Sequence, residues 1–164
     1  MIKKGIILAG GSGTRLSPLT KSVNKQLLPI HDKPMIFYPL SVMMLANIKK
    51  ILMIVNPGQI NNFKSLLGDG SRYGININYK IQDKPRGLPD AFILGKTFIN
   101  QDNVALILGD NFFYGQSLTK KLEKSSIHKS GATIFLKEVS SPENYGVAKI
   151  SKKRIEKIIE KPKK

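Results

Sequence analysis

The residues best equipped for chemistry lie in Leu8-Ala9-Gly10-Gly11-Ser12-Gly13-Thr14-Arg15-Leu16, directly behind the apolar run Gly5-Ile6-Ile7-Leu8, with Lys25 ten residues beyond the arginine. A short β-branched run that breaks into glycines reads as a buried strand delivering a loop. Lacking Cβ atoms, Gly10, Gly11 and Gly13 let successive N–H groups turn toward one anion. Ser12 and Thr14 add hydroxyl donors, Arg15 a planar fork of charge and Lys25 a point charge. Together they suit a polyphosphate; the plainer reading of the loop alone is a turn that uses glycine for geometry. Two better-known glycine loops are excluded. A Walker loop ends in Gly-Lys-Ser/Thr, whereas Thr14-Arg15 follow Gly13, and the dinucleotide fingerprint needs a third glycine where Leu16 stands.

A second candidate is Asp110, which follows the apolar run Val104–Leu108 and Gly109. Magnesium is commonly held by one or two carboxylates plus water and substrate phosphate, so even one well-placed aspartate is a meaningful candidate. Capping a turn or a helix is the ordinary alternative.

Strands that deliver such loops require a framework. The pattern predicts strands over 4–9, 50–55, 75–82, 104–108, 132–137, 147–150 and 155–159, and helices over 34–46, 59–66, 88–98 and 117–124. Pro34 suits a first helical turn, while Pro39 calls for a kink or a later start. Alternating strands and helices predict an α/β fold with a three-layer, Rossmann-like, mostly parallel sheet, formed as one domain over 1–164 with no internal boundary. In such a sheet ligands bind beyond the carboxyl ends of the strands, where segments 10–15, 82–87 and 109–111 would converge.

Composition narrows the classes. With 164 residues, 41% hydrophobic and 23% charged, the chain can bury a real core. It has no cysteine, which excludes a disulfide framework or a thiolate metal site. No apolar run approaches the roughly 20 residues of a membrane span, and glycines stop the run after Lys3-Lys4 too soon for a signal peptide. A cytoplasmic location is the default expectation. The net charge of +16 raises nucleic acid as a partner, but it comes from 23 lysines and only four arginines, and no helix-turn-helix, zinc-finger or aromatic RNA-binding motif accompanies it. No specific nucleic-acid partner is expected; a positive field still draws phosphorylated ligands to a cleft.

The block from Gly10 to Pro34, with Lys25-Gln26-Leu27-Leu28-Pro29 and Asp32-Lys33-Pro34-Met35, resembles the signature of the sugar-nucleotide pyrophosphorylases, and most closely their thymidylyl-transferring members. Leu67-Gly68-Asp69-Gly70-Ser71, Leu108-Gly109-Asp110-Asn111, Tyr145-Gly146-Val147 and Glu160-Lys161-Pro162 carry the same resemblance in order along the chain. It implies dTTP and glucose 1-phosphate as substrates, dTDP-glucose and pyrophosphate as products, Mg2+ as cofactor, a homotetramer, and a place in dTDP-rhamnose and surface-polysaccharide biosynthesis.

The resemblance also implies roles. Arg15 and Lys25 would be the catalytic cations and Asp110 the magnesium ligand. Leu8, Gly10, Gly11, Ser12, Gly13, Thr14, Gln26, Gln82, Pro85 and Gly87 would bind the nucleotide, with Gln82 and Gly87 reading the base. Asn111, Gly146, Glu160 and Lys161 would hold the sugar phosphate. Two departures stand out. The family carries Gly-Leu-Ala-Gln-Ala where this chain has Gly87-Leu88-Pro89-Asp90-Ala91, placing an anion near the nucleotide, with Arg86 offering a compensating charge. Family members also run on past Glu-Lys-Pro to a further acidic metal ligand, so the chain is expected to be an amino-terminal half, truncated at the C-terminus. A remnant that holds nucleotide without turnover and a basic nucleic-acid-binding domain are the rival readings.

Overall fold

The computed structural model describes residues 1–164 apart from Ser12, His128, Lys129, Lys153 and Lys164, in two units, Met1–Lys129 and Ser130–Lys164. The first unit begins with β1 (Lys4–Ala9), a short hairpin of β2 (Pro29–Ile30) and β3 (Lys33–Pro34), and α1 (Phe37–Leu45). Next come β4 (Lys50–Val55), α2 (Ile60–Leu67), β5 (Asn76–Ile81), α3 (Pro89–Leu94), α4 (Lys96–Ile99), β6 (Val104–Leu108) and α5 (Leu118–Ser126). Strands β5, β4, β1 and β6 form, in that order, one parallel sheet.

Near-continuous apolar strands need cover on both faces, and the side-chain alternation shows that they have it. On one face Ile7, Ala9, Met53, Val55 and Ile107 share a core with Leu40, Phe63 and Leu122 from α1, α2 and α5. On the other, Ile6, Leu52 and Ile54 pack with Ala91, Leu94, Phe98 and Ile99 from α3 and α4. The unit is therefore three-layered, as expected. Among the described residues no helix is long and apolar enough to cross a membrane.

Strands 4–9, 50–55 and 104–108 form as predicted, residue for residue, and 75–82 is trimmed by one residue at each end. Helix α1 starts at Phe37 because Pro34 belongs to β3, and Pro39 falls in the first turn, where its missing N–H costs nothing. The single helix expected over 88–98 is divided at Gly95, where a Cβ would stand 2.9 Å from the Ala91 carbonyl and 3.0 Å from Ile6 Cδ1. The backbone presses on β1 there.

The second unit carries an antiparallel pair, β7 (Gly146–Ser151) and β8 (Arg154–Glu160), with a bulge between Lys149 and Ile150. Segment 132–137 corrects an expectation: it joins none of the three sheets, and Ile134, Phe135 and Leu136 are exposed. Apolar propensity makes a strand only where a ladder receives it.

Candidate functional site

After β1 the chain builds β4 and β5 on one side and then crosses back to place β6 on the other. The carboxyl ends of β1 and β6 therefore flank the point where the crossover direction reverses, the place where open α/β sheets bind ligands. Parallel register aligns the segments that leave these strand ends. Leu8 pairs with Leu108 and Ala9 with Val55, the Gly109 N–H donates to the Leu8 carbonyl at 2.8 Å, and the Gln82 N–H donates to the Val55 carbonyl at 2.9 Å. Gln82, Asn56, Gly10 and Gly109 thus succeed one another along the sheet edge. Gly10, Gly11, Gly13, Thr14, Arg15, Leu16, Lys25, Gln26 and Asp110 line a cleft of about 250 Å³ here. The phosphate candidates and the metal candidate come together; Ser12 lies outside the described residues. Leu8, Gln82, Pro85, Gly87 and Asn111 are not among the residues lining this cleft, although Gln82 touches its border at Gly10.

Side chains fasten the loop from its carbonyl side. Asn24 Nδ2 donates to the Ala9 carbonyl at 3.3 Å, Gln26 Nε2 to Gly10 at 3.2 Å, Asn56 Nδ2 to Gly11 at 2.9 Å and Thr20 Oγ1 to Gly13 at 2.8 Å. Asn56 Oδ1 also accepts the Gly11 N–H at 3.1 Å, clasping that residue from both sides. Carbonyl oxygens repel phosphate, and four of them are committed to protein donors. Close approach does the rest: a Cβ on Gly109 would stand 3.0 Å from Gln26 Cγ and 3.1 Å from Ala9 Cα. Gln26 lines the cleft, and its Oε1 is buried without a hydrogen-bond partner among the described residues.

Lys25 Nζ sits 2.8 Å from Asp110 Oδ2, with both side chains about one-third exposed. Arg15, in the short 3-10 turn Thr14–Leu16, is exposed and makes no ion pair among the described residues. No group of three or more potential metal-ligating side chains exists among the described residues. A lone, accessible carboxylate beside a phosphate-type loop fits a hard divalent cation that takes its other oxygens from water and phosphate.

Beyond Gly10, the departure at Asp90 resolves into a network. Asp90 is 4% exposed; its Oδ2 accepts from Gln82 Nε2 at 2.7 Å and its Oδ1 from Arg86 Nε at 3.2 Å. Arg86 also reaches Asp83 at 2.8 Å. The Gln82 amide foremost, with Arg86 in support, holds the Asp90 carboxyl below the usual carboxylate range. Arg86 does offset Asp90.

In the second unit, β7 and β8 bring three of the four sugar-phosphate candidates, Gly146, Glu160 and Lys161, to one end of the hairpin; Asn111 belongs to the first unit. Gly146 pairs with Glu160, a Cβ on Gly146 would stand 3.0 Å from Glu160 Oε2, and the Lys161 N–H donates to the Tyr145 carbonyl at 2.9 Å. Glu160 and Lys161 are exposed. Sequence reasoning missed Asn24, Asn56 and Thr20. The available signal was position: Asn56 follows the apolar run of β4 as Gly10 follows that of β1.

Comparison with known proteins agrees with this geometry. A family model described as nucleotidyl transferase matches residues 4–164. The glucose-1-phosphate thymidylyltransferase of Neisseria meningitidis is 56% identical over 160 residues, covering 97% of this chain and 56% of that protein. That of Xanthomonas campestris pv. campestris is 52% identical over 163 residues, covering 99% and 55%. A solved Bacillus anthracis structure, described as a glucose-1-phosphate thymidylyltransferase in complex with a sucrose, superposes with a TM-score of 0.91 at 39% identity, covering 98% of this chain and 65% of that one. A UDP-glucose pyrophosphorylase complexed with UDP-glucose gives 0.77 at 25%, covering 99% and 70%. The chain spans about half the length of the curated relatives it matches. With a loop fastened by its carbonyls, an aspartate across the switch point and a family model over nearly the whole sequence, the chain belongs to the nucleotidyl transferase family.

Proposed function

We propose that the cleft binds dTTP and that the chain takes part in transferring its thymidylyl group to glucose 1-phosphate, giving dTDP-glucose and pyrophosphate. A sugar-phosphate oxygen forms a bond to the α-phosphorus, the bond from that phosphorus to the bridging oxygen breaks, and pyrophosphate leaves with its electron pair. No nucleophilic side chain is needed, so catalysis rests on positioning and on neutralising charge around phosphorus. Arg15 and Lys25 supply positive charge, the loop N–H groups bind phosphate oxygens, and Gln26 lies against the nucleotide. Gln82, whose Oε1 lies beside Gly10, and Gly87 would read the base, with Leu8 and Pro85 beside the nucleoside. Asp110 would hold Mg2+, which when bound offsets phosphate charge. Asn111, Gly146, Glu160 and Lys161 would bind the sugar phosphate, and the family model across 4–164 supports reading both units as one nucleotidyltransferase domain.

The observation that carries this reading is the loop whose carbonyls at Ala9, Gly10, Gly11 and Gly13 are all taken by side chains, beside Asp110. A homotetramer, a cytoplasmic site where both polyanionic substrates are confined, and a step toward dTDP-rhamnose and surface polysaccharide belong to the same proposal. The test is pyrophosphate release from dTTP, glucose 1-phosphate and Mg2+. Release that depends on both substrates supports transfer, dTTP binding without release reduces the assignment to nucleotide holding, and the absence of both binding and release contradicts it.

A further inference from the structure

Gln82 and Asp90 are both 4% exposed and share a 2.7 Å hydrogen bond. An ionised carboxylate only accepts, so the bond can be made only by the Gln82 amide nitrogen. That choice fixes the whole side chain. With Nε2 committed to Asp90, Oε1 is left on the side of the glycine loop, where a Cβ on Gly10 would stand 2.9 Å from it. Arg86 secures the arrangement by engaging the other Asp90 oxygen at 3.2 Å, so the buried anion is paired on both oxygens and stays ionised. A glutamine or asparagine at position 90 could offer either an oxygen or an NH2 group, and the Gln82 amide could then turn over.

We propose that Asp90 is a positioning residue for base selection: it locks the Gln82 amide with Oε1 toward the nucleobase, so the site takes a pyrimidine that carries an N3–H. The proposal rests on the reading that Gln82 faces the base. Thymine and uracil donate from N3 and match a fixed acceptor. Cytosine presents a bare N3, which opposes an oxygen, and Gln82 can answer it only by abandoning Asp90. The lock ignores the 5-methyl group, so it separates dTTP from dCTP but not thymine from uracil.

The experiment is isothermal titration of dTTP and dCTP, each with Mg2+, against the full chain and its Asp90→Asn, Asp90→Glu and Gln82→Leu variants, with thermal melts to monitor folding. The wild type should prefer dTTP, and Asp90→Asn should shrink that preference by about tenfold, the worth of one well-made hydrogen bond. Asp90→Glu, still acceptor-only, should retain it. Parallel weakening of both nucleotides in Asp90→Asn, with the ratio intact, would overturn the lock. A ratio unchanged in Gln82→Leu, or no dTTP binding by the wild type, would instead overturn the underlying reading of Gln82. If Asp90→Asn fails to fold, loss of the preference in a folded Asp90→Glu decides against the proposal.

Discussion

Lys25 Nζ and Asp110 Oδ2 stand 2.8 Å apart although 85 residues separate them, one from the segment behind the glycine loop and one from the end of β6. The sheet creates the pair: β1 and β6 are adjacent, so the segments leaving their carboxyl ends meet at the switch point. Both residues line the cleft; under the proposed function the lysine would act on phosphate and the aspartate through a divalent cation.

Asp110→Asn keeps the side chain's shape and removes its charge. Mg2+ is expected to strengthen dTTP binding to the wild type and to have little effect in the variant, read by titration with and without the metal. Equal strengthening in both proteins would reduce Asp110 to a turn residue.

Arg15 is the exposed cation of the cleft without an ion-pair partner among the described residues. Removing one preorganised charge from a developing phosphate charge costs on the order of 3 kcal/mol, about a hundredfold in rate. Arg15→Ala should lower pyrophosphate release by that factor and leave the melting temperature unchanged. Turnover at the wild-type rate would remove Arg15 from the mechanism.

Asn56 holds Gly11 by both its N–H and its carbonyl. Asn56→Ala frees that carbonyl to turn toward the phosphates, and two hydrogen bonds of about 1 kcal/mol each are lost. Affinity for dTTP is expected to fall about tenfold or more. Unchanged affinity would mean that the loop holds its shape without the clasp.

Much of the framework was legible because its causes are local. The runs in β1, β4 and β6 are unbroken apolar stretches ended by Gly, Asn or Gly, and their boundaries follow from that alone. Gly10 through Arg15 and Asp110 were legible for the same reason: they sit at strand ends. The clasp by Asn24, Asn56 and Thr20 was not, because an asparagine beside a loop is common and only the Ala9–Val55 register brings Asn56 to Gly11. Segment 132–137 misled for the opposite reason, since its residues favour a strand but it joins none of the three sheets among the described residues. The Asp90 departure was visible as a changed charge, yet its partner Gln82 is set by the end of β5 meeting the start of α3.

Acid should expose the Asp90 network. Asp90 is held below its ordinary range by Gln82 and Arg86, and Asp83 by Arg86. Each therefore binds a proton less readily folded than unfolded. Their stabilisation is present above the unfolded carboxylate pKa of about 4 and is lost as pH falls through the folded value. Urea unfolding of the wild type should weaken below about pH 4, and Asp90→Asn should flatten part of that decline. Identical acid limbs would show that Asp90 carries none of it.

The most direct measurement tracks the backbone amides of the isotope-labelled 164-residue chain by NMR during titration with dTTP and Mg2+. A nucleotide held in the cleft predicts saturable shifts that are largest at Gly10, Gly11, Gly13, Gly109 and Asp110 and that need more nucleotide to saturate in Arg15→Ala. Shifts spread over the lysine-rich surface, rising in proportion to nucleotide and indifferent to Arg15, would contradict it.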